Sequence, residues 1–430
     1  MTNRVELLAP AGNPEKLEIA VHYGADAVYL AGKAFSLRNF SGNFTLEEMR
    51  AGIRHAHAHG VKVYVACNVY ARNDEMEAVR EYLAELAEVK PDALIVADPA
   101  IFAAAREVAP DLDIHISTQS NTTSWGTARF WKSLGATRVN VARELPLTEI
   151  KGVVDHGGLE VEAFIHGAMC ISYSGRCLLS SYLTNRDSNR GQCSHPCRWK
   201  YSVVEEMRPG HFHPVREDER GTYLFNSKDL CMIDHIPALI EGGIASLKIE
   251  GRMKGINYLA SVVKTYREAI DAYYDAPEHY ATRPEWTEEL SRINSREYST
   301  GFFFGHEKDT APNYDDSRPG TIHRFAGKIT AVEGNAATVQ VRNKIVQGQE
   351  IEVLTRKGPA RCDTIESITG RKGDEQEVAQ PNTCVTVTLN GSYAPNDLIR
   401  IAEESTYGHA PGASRLPGGG GNDRPTKQPG

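Results

Sequence analysis

A chain of 430 residues has room for one large domain and a smaller one, and its formal net charge of −8 gives no global signal for nucleic acid. The opening Met-Thr-Asn-Arg-Val-Glu-Leu-Leu-Ala-Pro has neither the apolar core nor the cleavage site of a secretory signal, and no stretch approaches the roughly 18 apolar residues of a membrane span. A soluble cytoplasmic protein with reduced thiols is therefore expected.

From the N-terminus, short apolar runs alternate with amphipathic stretches. Residues 5–9 read as a strand, Pro10-Ala-Gly12 as a turn, and Asn13-Pro14 as the cap and first turn of a helix reaching about residue 23. A second strand follows at 25–31, and Thr45-Leu-Glu-Glu48 is a capping box opening a helix that Gly60 ends. Further strands are predicted at 62–68, 93–97, 113–117, 138–142, 159–165 and 246–250, with helices at about 74–89, 99–108, 123–134, 147–156 and 257–273. The strands are nearly continuously apolar, as parallel strands covered on both faces should be. Eight strands with helices between them predict an α/β fold, a (β/α)8 TIM-type barrel over 1–273. An open doubly wound sheet is the alternative, weakened because Gly12 stands without a G-x-G-x-x-G pattern. A barrel places its chemistry on the loops after the strands. Those ends carry Asn68 and Tyr70, Asp98, His115 with Gln119 and Asn121, Arg143, His166, and the run Lys248-Ile-Glu250-Gly-Arg252-Met-Lys254.

Beyond the barrel, 274–319 reads as a connector with an aromatic anchor at 298–304. From 320 to 404 the period changes to two, with predicted strands at 326–332, 337–341, 350–354, 363–369 and 383–389: a small antiparallel β-barrel, either an RNA platform or a stability or oligomer domain. Residues 405–430, with their glycine run, read as a disordered tail.

Five of the eight cysteines, Cys170, Cys177, Cys193, Cys197 and Cys231, fall within 62 residues. Free cysteine is ordinarily scattered and buried, so the crowding points to metal or redox chemistry. The spacing C-x6-C-x15-C-x3-C lacks the tight C-x2-C of a zinc knuckle and suits an iron–sulfur cluster better; structural zinc, disulfides and plain core thiols are the alternatives. Four of these thiols ride on an insertion at 170–221 between the seventh and eighth strands, on the predicted active face, and Cys231 lies just before the eighth strand. Between Cys170 and Lys200 five basic residues face one acid, Asp187, which makes either a solvated face or a phosphate-binding one.

The run Glu162-Ala-Phe-Ile-His-Gly-Ala-Met-Cys170-Ile-Ser-Tyr-Ser-Gly-Arg-Cys177-Leu-Leu-Ser180 matches the signature E-x-F-x2-G-[SA]-[LIVM]-C-x4-G-x-C-x-[LIVM]-S. On this run the chain resembles peptidase family U32, the collagenase-like peptidases. Ala9-Pro-Ala-Gly12, His115-Ile-Ser-Thr-Gln119-Ser-Asn121, Asn189-Arg-Gly-Gln-Cys193-Ser-His-Pro-Cys197-Arg198 and Lys248–Lys254 carry the likeness over residues 5–405.

A peptidase needs a nucleophile or an activated water, and the sequence offers neither in a recognisable setting. The resemblance instead implies an oxygen-independent hydroxylase with a [4Fe–4S] cluster, acting on the wobble uridine of tRNA, a ribosomal RNA cytidine or the ubiquinone ring. In the RNA-directed branches it implies prephenate as oxygen donor. A barrel with one small β-module is most similar to the tRNA 5-hydroxyuridine branch. The implied ligands are Cys170, Cys177, Cys193 and Cys231, with the place of Cys197 left open. A dicarboxylate such as prephenate calls for cations, and Arg143, Arg252 and Lys254 are the candidates, with His115, Gln119 and Asn121 beside them. Glu250 and His166 are the candidate acid–base groups. Tyr173 or Trp199 would stack on a splayed base or pack around the cluster. Proteolysis, a non-catalytic RNA-binding role and other hydroxylation substrates are the competing readings.

Overall fold

The computed structural model describes residues 4–35, 42–170, 172–190, 193–194, 196, 228–293, 298–305 and 321–404, with two short strands at 216–218 and 221–223. Cys197, Trp199, the rest of 197–215 in the insertion and the C-terminal 405–430 lie outside the described residues.

Eight parallel strands, β1 (Glu6–Pro10), β2 (Ala27–Leu30), β3 (Lys62–Cys67), β4 (Ala93–Val96), β5 (Asp113–Ile116), β6 (Arg138–Asn140), β7 (Glu160–Ala168) and β8 (Ser246–Ile249), form the sheet. It closes on itself, because Ser246 of β8 registers with both Glu6 of β1 and Glu162 of β7. This is the expected (β/α)8 barrel. Helices α1 (Pro14–His22), α2 (Leu46–Ala58), α3 (Met76–Val89), α4 (Pro99–Val108), α5 (Trp125–Ser133) and α6 (Leu147–Gly157) follow the first six strands. Their starts are chemically marked: Asn13 accepts from the Lys16 N–H at 2.9 Å, and Thr45 and Glu48 exchange both bonds of the capping box at 3.1 and 2.8 Å.

Two stretches differ from the expectation. Strand β7 runs three residues past 165, because His166, Gly167 and Ala168 pair antiparallel with Cys231, Leu230 and Asp229. Tyr298–Ser299 then adds in parallel to Asp229–Leu230, so the expected aromatic anchor works as a strand. Helices α7 (Leu179–Thr184) in the insertion and α8 (Ile236–Glu241) after it are additional. They are short, and six residues give periodicity too little length to register. Helices α9 (Ile256–Asp275) and α10 (Pro284–Arg292) complete the α-layer.

The barrel interior is divided. Inward residues of β1–β4, namely Leu8, Tyr29, Tyr64, Ala66 and Ile95, form an apolar cluster separate from the main core. The inward residues of β5–β8 include His115, Arg138, Asn140, Glu162 and Lys248, all buried.

The C-terminal domain is an antiparallel sheet of β9 (Thr321–Glu333), β10 (Ala336–Val341), β11 (Glu350–Leu354), β12 (Arg361–Thr364), β13 (Ser367–Thr369), β14 (Cys384–Thr388) and β15 (Leu398–Glu404), ordered β12-β11-β15-β9-β10-β14-β13. Register shifts in β9 near Phe325 and Ile329 bend it. The sheet curls into a half-barrel, and among the described residues its edge strands β12 and β13 do not meet. The sequence reading missed β15, which occupies the middle of the sheet, and took β12 and β13 as one strand.

This domain is fixed to the barrel by buried charge. Arg400 of β15 is fully buried; it donates to Glu289 of α10 at 2.6 and 3.0 Å and to Glu352 of β11, and Ser261 of α9 also donates to Glu289. Burial alone would raise the Glu352 carboxyl, but the hydrogen bond from His323 and the charges of Arg400 and Arg292 hold it down at about 2. No helix of the described residues is long and apolar enough to cross a membrane.

Removing the cation leaves two carboxylates without it. Arg400→Leu should destabilise the protein by about 3–5 kcal/mol in urea unfolding. Because the folded-state value of Glu352 lies below its ordinary 4.5, its contribution is complete above that pH and is lost as pH falls towards 2. Acid titration of the unfolding midpoint should show that loss in the wild type and a smaller one in Arg400→Leu.

Candidate active site

At the C-terminal mouth of the barrel lies a cavity of about 250 Å³. Its wall and floor come from strand ends, including Tyr29, Asn68, Gln119, Asn140, Arg143, Phe164, Lys248 and Glu250. Its roof comes from the insertion, including Cys170, Gly175, Cys177, Ser188 and Cys193.

The run after β8 reaches over the mouth because the β7–β8 register shifts between Lys248 and Ile249. The Glu250 N–H then bonds the His166 carbonyl at 2.9 Å. Gly167 makes this crossing possible: its φ is +103°, and a Cβ there would sit 2.5 Å from the Glu250 carbonyl oxygen. Glu250, Arg252 and Lys254 consequently all line the cavity, as do Arg143 and Gln119. The Arg143 guanidinium carbon lies over the Phe164 ring, 3.9 Å from its centre, and the side chain donates to the Ala168 carbonyl at 3.0 Å and has Glu250 at 3.8 Å. Gln119 is fixed by Asn68 and Ser117, each donating to its Oε1 at 2.8 Å.

The other predicted residues lie elsewhere. His115 is inward on β5 but below the cavity, its ring 4.6 Å from that of Tyr64; burial and the charges of Arg138 and Lys248 push its pKa well below the ordinary value. Asn121 adopts φ 56° after the turn Thr118–Ser120 and does not line the cavity. His166 is behind the cavity wall, with the rings of Tyr298, Tyr266 and Tyr258 5.2 to 5.9 Å away. Burial and the charge of Lys254 push it down to about 3, so it is neutral at physiological pH. Its position suits holding β7 against α9 rather than touching a substrate.

Lys248, which the sequence places at the end of the eighth strand without a role, also lines the cavity. Its ammonium donates to Glu162 at 2.7 Å and lies 4.4 Å from the Tyr29 ring centre, with the cavity above it. The available signal was a charged residue at an inward position of an otherwise apolar strand.

Three of the four implied cysteine ligands share the cavity roof, and Cys197 follows Pro196, which also lines it. Cys231 lies apart. Its thiol is 3.7 Å from the Tyr266 hydroxyl, and burial pushes it up to about 11. Among the described residues all seven cysteines are free, and no three metal-ligating side chains are gathered at metal-binding distance. The donor chemistry fits an iron–sulfur cluster at three positions, and the fourth needs Cys231 to turn or Cys197 to join.

A closed barrel whose mouth is roofed by a thiol-bearing insertion defines an enzyme with its site at the C-terminal face. The chain belongs to peptidase family U32: the model of that family matches residues 12–313, and that of the family's C-terminal domain matches 322–400. It is 41% identical to tRNA hydroxylation protein P1 of Bacillus subtilis (strain 168), over 93% of this chain and 95% of that one. It is 37% identical to tRNA hydroxylation protein P of Escherichia coli (strain K12), over 91% and 94%. It is 30% identical to the 23S rRNA 5-hydroxycytidine C2501 synthase of Escherichia coli (strain K12), over 89% of this chain and 57% of that one.

The thiols should separate by accessibility. In metal-free protein treated with iodoacetamide at pH 8, peptide mass mapping should find the exposed Cys170 and Cys362 alkylated first. Cys231 should follow slowly, and Cys67, fully buried and pushed up to about 12, should react last.

Proposed function

We propose that this protein is an RNA-modifying hydroxylase that converts the wobble uridine of tRNA to 5-hydroxyuridine without molecular oxygen, using prephenate as oxygen donor and a [4Fe–4S] cluster. The observation that carries the reading is one cavity lined by three thiols and by Arg143, Lys248, Arg252 and Lys254. The end-to-end likeness to tRNA hydroxylation proteins supports RNA as the substrate class. Among the described residues that line the cavity no histidine stands beside a hydroxyl or thiol as a peptidase would need, and Ser117 bonds Gln119 instead.

The cluster would be held by Cys170, Cys177 and Cys193, with Cys231 or Cys197 as fourth ligand. Replacing a ring C–H by C–OH removes two electrons from the pyrimidine, which the oxygen donor prephenate must take up as it gives up its oxygen, and the bound cluster would supply a redox centre beside them. The rest falls to the chain itself. Arg143, over the Phe164 ring, presents its guanidinium to one carboxylate of prephenate. Arg252 and Lys254, on the overhanging run, take the other, and Lys248 adds positive charge from the floor. Glu250, beside Arg143, is the group placed to hold or accept a proton during oxygen transfer. A cytoplasmic setting, where thiols stay reduced, suits this chemistry.

Mass spectrometry of tRNA nucleosides tests the reading in cells lacking the protein. Wobble 5-hydroxyuridine derivatives should disappear, return with the wild type, and stay absent with Cys177→Ala; an unchanged profile in a strain with no parallel enzyme would sink it. In vitro, Arg143→Gln should raise KM for prephenate about 10- to 100-fold, the loss of one hydrogen bond to a charged group. Glu250→Gln should instead lower kcat by about 100-fold or more.

A further inference from the structure

The helix in the insertion is inside out. On α7, Ser180 is fully buried and bonds the Ser194 N–H at 2.9 Å, while Thr184 and Ser194 meet at 3.0 Å. The apolar residues face solvent: Leu178 is 76% and Tyr182 87% exposed, with Leu179 and Leu183 also on the outside. Leu178 and Tyr182 are four apart and so share one helical face. A short helix that turns its hydroxyls inward and its largest apolar groups outward gains nothing for its own folding. The same insertion supplies the cavity roof, for Cys177 and Ser188 on either side of α7 both line it. Tyr173 and Met253 are exposed large side chains from the segments that line the same mouth.

We propose that this outer face of α7 is a docking surface for a single-stranded RNA loop, with Tyr182 as the platform on which a nucleobase stacks. This rests on the RNA reading above and deepens it. Charge favours RNA over another occupant. The only acid between Cys170 and Lys200, Asp187, is engaged by Arg72 at 3.4 Å and by Ser181 at 2.7 Å, while Arg176 is exposed and Arg186 lies near the helix end. Arg176, which also lies over the Tyr70 ring at 5.4 Å, and Arg186 flank in sequence the helix that carries the exposed Tyr182, and cations flanking an exposed aromatic, on the insertion that roofs a cavity that must admit one base, are what single-strand binding requires. A nucleotide next to the reacting one would stack on Tyr182 while its neighbour enters the cavity.

The test measures tRNA binding by the full-length protein with fluorescence anisotropy, together with iron content. Tyr182→Ala should weaken binding of an unmodified tRNA roughly 10- to 100-fold, as the loss of one stacked base does, with iron content unchanged. Tyr182→Phe, which keeps the ring, should stay close to wild type. The slope of log affinity against log salt should be unchanged in Tyr182→Ala and shallower in Arg176→Gln. Equal tRNA binding by Tyr182→Ala overturns the surface alone, whereas no tRNA binding by the wild type overturns the RNA reading and the surface together. Photo-crosslinking from Tyr182→benzoylphenylalanine should capture the RNA; capture only of residues 198–227 or of a second copy of the chain would overturn the proposal.

Discussion

The barrel depends on a buried line of charge that crosses its interior. Arg138 of β6 donates to Glu6 of β1 at 2.6 Å and to Glu160 of β7 at 2.7 Å, with Glu162 at 3.6 Å. Glu162 in turn accepts from Asn140 at 2.8 Å and from Lys248 of β8 at 2.7 Å. Bulky aliphatic side chains ordinarily fill such an interior. Charges in their place are costly unless every one is paired, so the network tolerates only one register. A slip of one residue in β6 would turn Arg138 to the outer face and leave Glu6 and Glu162 without it. The strands thus linked, β1, β6, β7 and β8, are those on either side of the closure. Their uppermost member, Lys248, is also part of the cavity, so the group that completes the interior network forms the site floor.

A second linkage reaches the C-terminal domain through α1. Lys16 donates to the Arg252 carbonyl at 2.7 Å and so steadies the run over the mouth. Its neighbour Glu15 accepts from Arg342 of the half-barrel at 2.6 Å. On the same helix His22 meets Asp397 at 3.0 Å, and Tyr23 just beyond it donates to the Leu354 carbonyl at 2.7 Å. One helix therefore touches both the overhang that carries Arg252 and the second domain. With the Arg400 network on α9 and α10, the half-barrel is anchored to the barrel's outer layer rather than to the site.

Much of this was legible in the residues. The eight strands, the capping box at Thr45 and the cap at Asn13 each follow from local chemistry that tertiary contacts had no reason to override. Convergence of Arg143, Glu250, Arg252, Lys254, Gln119 and three cysteines followed once a barrel fixed which strand ends meet. Three things were not legible. The extension of β7 depends on pairing with Asp229–Cys231, some sixty residues away, which periodicity cannot see. The positions of His115 and His166 depend on which way a strand residue points. One lies under the floor and the other behind the wall, though both sit on barrel strands. That the small β-barrel curls only half-way round also depends on tertiary contacts, because alternation reports which face of a strand is buried and not whether the outermost strands meet.

The site divides its two chemistries between two kinds of scaffold. Its cations stand on β8, on the run that its register shift launches, and just after β6, where paired backbone and ring contacts set their positions. Three of its thiols, Cys170, Cys177 and Cys193, stand on the insertion, which meets the barrel through the pairing of Asp229–Cys231 with His166–Ala168, through Arg72 with Asp187 at 3.4 Å and through Arg176 donating to the Gln119 carbonyl at 3.5 Å. The strand pairing returns the chain after the insertion to β7, the strand that also carries Phe164 and Glu162. Cys231 sits in that pairing itself, opposite His166 and against Tyr266. A thiol pushed up to about 11 stays protonated at neutral pH, so recruiting it as a ligand would have to displace its proton as well as turn it from Tyr266. The cation-lined floor has no such condition attached. It is complete without any movement of the roof, which makes charge recognition the part of the site that the barrel alone secures.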